Sequence, residues 1–263
     1  MKANYKSDYS SLYLSRKEVG KVYNERISNK FELQIFELEK FFLKKIINEF
    51  SLSNASYLDF ACGTGRIIGY LSQLFSFKEQ TGLDLSPNMI NGARKTYPNV
   101  NFVVGNILEK DQVLDNHYDF ITAFRLVLNL EEKNRKILLR AISKKLKKGG
   151  IFIVNNHMNR HSLMGLIAFT LRKLFKFAPK NDLEAKKKGK RTIINTMSSS
   201  EMNVLLKESG FEIKKVYRFA LLPGYKKFIC LPKSVLYYLE LFLSNVPLLN
   251  LLSKDQIYVC VKK

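Results

Sequence analysis

The pattern of apolar and polar residues changes near residue 55. Between residues 31 and 47, apolar residues recur at spacings of three to five, which predicts a long helix with one apolar face. From residue 55 onward, short apolar runs alternate with segments of helix length. The predicted strands are Ser56–Phe60, Gln80–Asp84, Val100–Gly105, Tyr118–Phe124 and Ile151–Asn155, and the helices between them are Gly65–Phe77, Pro87–Tyr97 and Glu131–Leu146. The sequence KKGG at residues 147–150 is typical of the end of a helix.

Beyond residue 156 the pattern is looser. It predicts an apolar helix over residues 160–177, a basic loop over 178–198 and a short helix over Ser199–Ser209. Two more strands are predicted, Phe211–Ala220 and Gln256–Lys262, and an apolar insert at residues 221–255 separates them. Because strands alternate with helices, the chain is predicted to be an α/β protein whose parallel sheet carries helices on both faces.

A glycine-rich turn joins the first predicted strand to its helix. The strand ends near Asp59 and the sequence Ala-Cys-Gly-Thr-Gly follows at residues 61–65. Small residues let a ligand approach the backbone at the carboxyl edge of a sheet, and a helix start offers free N–H groups there. The phosphate-binding GxxxxGK[ST] loop is excluded, and the GxGxxG dinucleotide pattern fits poorly because the third glycine, Gly69, comes one position late.

Two polar residues end the next two predicted strands. Asp84 ends the second strand, where a carboxylate can accept hydrogen bonds from ribose hydroxyls. Asn106 follows the third strand, where an amide can both donate to and accept from the edge of an adenine ring. Together with the glycine turn, these residues predict a site for a nucleoside-containing ligand.

The sequences YLDFACGTGR and GLDLS, with Asn106, resemble the class I S-adenosylmethionine-dependent methyltransferases over about residues 55–156. The resemblance implies S-adenosyl-L-methionine as the cofactor. Two departures from the family pattern are Ala61, where a glycine is usual, and Asn106, where an aspartate is commoner. The cofactor-binding residues implied by the resemblance are Tyr23, Asp59, Ala61, Gly63, Gly65, Arg66, Asp84, Leu85, Met89, Asn106, Ile107 and Phe124.

The resemblance also implies an architecture. It is a doubly wound, Rossmann-like, mostly parallel seven-stranded sheet with an antiparallel last strand, an N-terminal helical lid and cap insertions. Residues 1–54 are then the lid, and residues 55–263 are the methyltransferase domain, with insertions at about 157–198 and 221–255.

In this family the acceptor lies just past the fourth strand. The Asn/Asp-Pro-Pro-aromatic motif of enzymes that methylate base amino groups is missing there. Arg125 either binds an acidic substrate or pairs with Glu131 or Glu132, and Asn129 either orients the substrate or caps the next helix. His157, which follows the fifth strand, is the candidate catalytic base, with helix capping or a carbonyl contact as the alternative.

The net charge of +21 brings anionic partners into the picture. Between residues 172 and 191, nine basic residues stand against two acidic ones, beside apolar segments. This combination suits an anionic membrane surface, nucleic acid or a phosphorylated substrate, although a solvated lysine-rich surface explains it equally well. Three separate cysteines and the lack of an apolar leader or spanning stretch favour a cytoplasmic protein, with peripheral contact at the inner membrane surface as one option.

The predicted function is methyl transfer to a small-molecule, glycan or lipid-linked acceptor. An RNA or protein methyltransferase is the alternative that the charge favours. A non-catalytic cofactor-binding or scaffold protein is the alternative from another class. The three histidines lack partners at ligand spacing, so no metal is expected.

Overall fold

The computed structural model describes residues 30–108, 113–163, 196–222 and 232–263, together with residues 165, 166 and 170. Tyr23, the rest of the proposed lid before residue 30, and the basic segment at 171–195 lie outside the described residues, as does most of the apolar helix predicted over 160–177.

The described chain alternates strands and helices in the predicted order. The helices are α1 (Lys30–Glu49), α2 (Arg66–Leu74), α3 (Pro87–Thr96), α4 (Glu132–Lys145), α5 (Ser199–Glu208) and α6 (Lys233–Ser244), and short 3-10 helices cover Val127–Asn129 and Leu249–Leu252. The strands are β1 (Ser56–Phe60), β2 (Glu79–Asp84), β3 (Asn101–Val104), β4 (Tyr118–Ala123), β5 (Leu146–Asn156), β6 (Phe211–Phe219) and β7 (Asp255–Lys262).

These strands form one seven-stranded sheet in the order β3-β2-β1-β4-β5-β7-β6. Strands β1 to β5 pair in parallel, whereas β7 is antiparallel to both β5 and β6. The predicted Rossmann-like sheet with an antiparallel last strand is confirmed. The order reverses at β1, which has β2 on one side and β4 on the other, and in open α/β sheets ligands bind at such a switch point.

The predicted end of α4 at the KKGG sequence is wrong. The helix ends at Lys145, and Leu146 is already paired with Tyr118 as the first residue of β5. The Lys145 ammonium is buried, donates to the carbonyl oxygen of Val113 at 2.6 Å and pairs with Asp115 at 2.7 Å. Gly149 does adopt a left-handed backbone with φ +76°, but it does so where the pairing of β5 with β4 shifts register.

Two apolar clusters lie on opposite faces of the sheet. One contains buried residues of α1, α2 and α3, and the other contains buried residues of α4 and α5. In the first cluster, the ring of Phe42 from α1 stacks on Phe219 of β6 with 5.1 Å between centroids and contacts Tyr217 at 5.4 Å. Helix α1 therefore packs into the core, as its periodic apolar face predicts, and the division of the chain at residue 54 stays a prediction.

The strand directions bring several loops to one edge of the sheet. Strands β1 to β5 all end at this edge, and because β6 runs parallel to β5, β6 ends there too. Strand β7 begins at the same edge, where Asp255 pairs with Phe219. Both predicted insertions thus leave the sheet where the glycine turn lies. Among the described residues, no helix combines the length and the apolar character needed to cross a bilayer.

Phe42 and its neighbour Phe41 provide a matched test of the packing of α1. The side chain of Phe42 is 5% exposed, whereas that of Phe41 is 40% exposed. We expect Phe42→Ala to lower the free energy of unfolding by about 3–5 kcal/mol, because it leaves a cavity beside Tyr217 and Phe219. Phe41→Ala should cost about 1 kcal/mol. Urea unfolding of both variants measures the difference, and equal losses would contradict the packing described.

Candidate functional site

Three left-handed residues shape the turn after β1. They are Ala61 with φ +55°, Gly63 with φ +58° and Gly65 with φ +80°. The turn is held by hydrogen bonds from the Cys62 amide to the Leu83 carbonyl at 3.1 Å and from the Gly65 amide to the Cys62 carbonyl at 3.0 Å. A glycine at the first position would avoid the cost of about 1 kcal/mol or more that an alanine incurs in this conformation. The turn therefore accommodates Ala61 at the expense of some stability.

The two glycines of the turn are needed for different reasons. A Cβ atom on Gly65 would lie 2.9 Å from the ring of Phe102 and 3.1 Å from that of Tyr97, so Gly65 allows the helix to pack on β3. A Cβ atom on Gly63 would meet no atom within 4 Å among the described residues. The space above Gly63 is therefore open, as a ligand lying against the backbone of this turn requires.

Asp59 supports the turn from below. Its carboxylate is buried, with one oxygen accepting from the Thr122 hydroxyl at 2.6 Å and the other from the Ile68 amide at 3.3 Å. Burial raises the pKa of Asp59 to about 7, although both hydrogen bonds and the charge of Arg66 oppose this shift. Asp59 thus ties β1 to β4 and to the first turn of α2, and its predicted contact with a cofactor stays a prediction.

Asp84 links the glycine turn to the next loop. One carboxylate oxygen accepts from the Gly63 amide and the other from the Ser86 amide, each at 2.9 Å. Burial raises the pKa of Asp84, while these two hydrogen bonds favour the charged form. Each oxygen of a carboxylate has a further lone pair, so this group can still accept from the two hydroxyls of a ribose.

The other predicted cofactor residues lie at the same edge, after β2, β3 and β4. Asn106 accepts from the Leu108 amide at 3.1 Å and so stabilises the turn after β3. Met89, Ile107 and Phe124 are buried, whereas Leu85 is exposed. The fold therefore brings the described members of the predicted set to one edge, and their contacts with a cofactor stay predictions.

Arg66, the first residue of α2, belongs to an ion-pair network that the sequence reasoning missed. Its guanidinium pairs with Glu39 of α1 at 2.7 Å and lies 4.3 Å from the centre of the Phe36 ring. The Glu39 side chain is fully buried. A signal was present in the sequence, because Glu39 shares one helical face with Ile35, Phe42 and other apolar residues of α1. A carboxylate on a buried face requires a cation opposite.

Arg125 extends this network from the end of β4. It has a left-handed backbone with φ +55°, its amide donates to Asn155 at 2.6 Å, and its guanidinium pairs with Glu32 of α1 at 2.6 Å. A second carboxylate, that of Glu39, lies 4.0 Å from its Nε atom. Of the two alternatives for Arg125, pairing with Glu131 or Glu132 is wrong, because its guanidinium pairs with Glu32 of α1 instead. Its contact with a substrate stays a prediction.

Asn129 and His157 were the other candidates for the acceptor site. Asn129 lies in the first 3-10 helix and donates to the carbonyl oxygen of Arg125, while the N-cap of α4 is Glu131. The expected capping role of Asn129 is therefore wrong, and its substrate role stays a prediction. His157 directly follows β5 and is half-buried at the same edge as the glycine turn. Its role as a base stays a prediction.

Sequence comparisons find relatives for the part of the chain that carries this site. A family described as a methyltransferase domain matches residues 58–150. A viral protein named as a methyltransferase, from Invertebrate iridescent virus 6, is 38% identical over 72 residues, which are 27% of this chain and 26% of the viral protein. The demethylmenaquinone methyltransferase of Chlorobaculum tepidum is 33% identical over 108 residues, covering 41% of this chain and 43% of that enzyme. The demethylmenaquinone methyltransferase of Thermotoga maritima is 25% identical over 200 residues, which cover 72% of this chain and 86% of that enzyme.

Solved structures share the whole architecture. The magnesium protoporphyrin IX methyltransferase of Synechocystis, crystallised with S-adenosylhomocysteine, superposes with a TM-score of 0.64 at 12% identity. The superposition covers 98% of this chain and 100% of that enzyme. A methyltransferase from Archaeoglobus fulgidus superposes with a TM-score of 0.56 at 16% identity, covering 92% and 98%. At such identities the likeness concerns the fold.

The open space above Gly63 leads to a test with Gly65 as the matched control. We expect Gly63→Ala to weaken S-adenosylhomocysteine binding at least about tenfold, with a stability loss of only about 1 kcal/mol, since Ala61 shows that alanine fits a similar backbone. Gly65→Ala should lose about 3 kcal/mol, because its methyl group also collides with Phe102. Calorimetry measures the binding and urea unfolding measures the stability. Unchanged binding by Gly63→Ala would contradict a contact between the ligand and the backbone at Gly63.

The sheet order, the glycine turn and the carboxylate of Asp84 occupy the region that the family match covers. The sequence relatives and the solved structures described above are named as methyltransferases. Residues 58–150 of this chain therefore match a methyltransferase domain, within a fold that the chain shares with S-adenosylmethionine-dependent methyltransferases.

Proposed function

We propose that this protein transfers a methyl group from S-adenosylmethionine to an apolar small-molecule acceptor. The observation that carries the proposal is the pairing of the Gly63 amide with Asp84 under open space at the switch point of the sheet. A glycine turn without side-chain bulk suits the methionine part of the cofactor, and a carboxylate beside it suits the ribose.

Each predicted residue has a defined role in this proposal. Asp84 accepts hydrogen bonds from the ribose hydroxyls, and the backbone of Gly63 and Gly65 lies against the methionine part. The N–H groups of Arg66 and Ile67, which precede the amide that bonds Asp59, face the cofactor's carboxylate in this proposal. The residues proposed around the adenine and along the cofactor are Leu85, Met89, Asn106, Ile107 and Phe124, with Tyr23 closing over them. Asp59, Ala61 and Arg66 act by shaping the turn and the start of α2.

The acceptor side favours an apolar and uncharged molecule. Phe124, Val127 and Leu128, which follow β4, are buried apolar residues. The charge of Arg125 is offset by Glu32 and Glu39, so it offers little attraction to an acidic acceptor. Demethylmenaquinone, after which two of the relatives are named, is an aromatic molecule of this kind. We therefore propose an aromatic, lipid-soluble acceptor, with a glycan or lipid-linked precursor as a broader option.

The experiment is a methyl-transfer assay with isotopically labelled S-adenosylmethionine. The probes are a reduced, short-chain naphthoquinol lacking the ring methyl group, a structured RNA and a mixture of cellular proteins. We expect label in the naphthoquinol fraction. Label in RNA or protein alone would contradict the small-molecule proposal in favour of the alternative suggested by the charge of +21. Cofactor binding without transfer to any probe would favour a non-catalytic role.

His157 is proposed as the base that takes the proton that the acceptor loses. We expect His157→Gln to lower kcat by about 10²-fold or more, with S-adenosylhomocysteine affinity unchanged, because proton transfer is separate from cofactor binding. His161→Gln is the matched control, since His161 is exposed and only its amide bonds Asn159, at 3.2 Å. Equal effects of the two substitutions would argue against His157 as the base.

A further inference from the structure

Helix α6 presents an apolar face to solvent. Val235, Tyr238 and Phe242 lie on one side of the helix, and all three are exposed, with 68% of Tyr238 and 66% of Phe242 accessible. Leu236 and Glu240 lie on the opposite side and are buried. Three exposed leucines follow at and beside the second 3-10 helix. The six residues are called the α6 apolar surface: Val235, Tyr238, Phe242, Leu248, Leu249 and Leu251.

The backbone at Leu248 is strained in a way that keeps its side chain outside. Leu248 has φ +70° and ψ −49°. The residues on either side of it are joined by a hydrogen bond of 2.9 Å, from the Leu249 amide to the Pro247 carbonyl. This is a γ-turn of the rare kind, which costs a bulky residue conformational energy. Its side chain is 77% exposed, the largest value among the exposed apolar residues of the described chain. Backbone strain at a leucine whose side chain is exposed suggests a contact with a partner molecule.

The α6 apolar surface is fixed to the functional edge of the sheet. The insert leaves the sheet after Phe219 and returns at Asp255, and these two residues are paired. The buried carboxylate of Glu240 accepts from the amides of Leu221 and Leu222, each at 2.9 Å, which anchors α6 to the end of β6. The helix that carries this surface is therefore fixed to the sheet by hydrogen bonds.

The described chain resumes beside this surface after a basic stretch of sequence. The sequence between residues 172 and 191 carries nine basic and two acidic residues, and the described chain resumes at residue 196. Next to that point, Met197 forms a bridge with Asn159. Asn159 in turn donates to the carbonyls of Leu251 and Ser253 at 3.2 and 3.1 Å. The described chain therefore resumes, after a strongly basic stretch of sequence, next to the 3-10 helix that carries Leu249 and Leu251.

We propose that the α6 apolar surface docks onto a lipid bilayer that contains anionic lipids. Exposed aromatic and leucine side chains can enter the region between headgroups and acyl chains, while the net charge of +21 attracts the protein to anionic headgroups. RNA would satisfy the positive charge but would leave the exposed leucines in water. The surface lies outside the cofactor site, so the inference is independent of the proposed activity. It also places the functional edge where lipid-soluble molecules dissolve.

Flotation of the full-length protein with vesicles tests the proposal. The probes are vesicles of phosphatidylcholine alone and of phosphatidylcholine with about 30% phosphatidylglycerol. We expect binding to the anionic vesicles to be at least about tenfold tighter than to the neutral ones, and to weaken when the salt concentration rises from about 0.1 to about 0.5 M. Equal partition into both vesicles, or into neither, would overturn the proposal.

Substitutions distinguish binding through this surface from non-specific hydrophobic binding. We expect Leu248→Gly to weaken binding to anionic vesicles by about tenfold while the melting temperature stays equal or rises, because glycine relieves the positive φ. The double substitution Tyr238→Ser and Phe242→Ser should weaken it further. The matched control is Leu114→Ser with Val204→Ser, two exposed apolar residues outside the insert.

S-adenosylhomocysteine affinity should be the same in wild type and in all of these variants, so loss of membrane binding and loss of the cofactor site can be told apart. Wild-type binding by the Leu248→Gly and double variants would overturn the proposal. So would an equal loss in the Leu114→Ser and Val204→Ser control. Tight binding to single-stranded RNA without binding to vesicles would also overturn it.

Discussion

The buried carboxylate of Asp59 is the constraint on which the turn and its neighbours depend. It connects β1, the Thr122 hydroxyl of β4 and the first turn of α2, so it fixes the place where the chain leaves the sheet. The raised pKa of about 7, against an ordinary value of 3.8, sets a condition on stability. Between these pH values the folded protein binds a proton that the unfolded chain has lost. The contribution of Asp59 to the free energy of unfolding therefore declines as pH rises, by up to about 1.4 kcal/mol per pH unit.

The two carboxylates of the site, Asp59 and Asp84, have different roles. Each oxygen of either carboxylate accepts one hydrogen bond from the protein, but Asp59 is buried, whereas Asp84 is partly exposed. The first arrangement holds the turn in place, and the second keeps acceptor capacity at the edge of the sheet. Since the Gly63 amide is itself part of the turn, the position of Asp84 follows from the backbone that Asp59 fixes.

The sequence predicted those parts of the structure that local patterns determine. The bounds of β1 are as predicted, and the other strands differ by one or two residues apart from β5, because alternating apolar runs and turn residues define them. The start of β5 was missed because pairing with β4 resumes at once after α4, which overrides the local preference of glycine to end a helix. Glu32 and Glu39 were missed as partners of Arg125 and Arg66 for a related reason. Their pairing depends on α1 lying across the ends of β1 and β4, and spacing along the chain carries no information about that contact.

The position of α1 has a consequence for the order in which the protein can fold during synthesis. This helix is made before any strand of the sheet, yet Phe42 stacks on Phe219 and Glu49 bonds the Tyr217 hydroxyl at 2.6 Å. Contacts so far apart in sequence form slowly, because a long loop must close first. The part of α1 that packs on β6 therefore stays uncovered until β6 has been synthesised. Apolar surface that is exposed during synthesis in this way favours aggregation of the nascent chain.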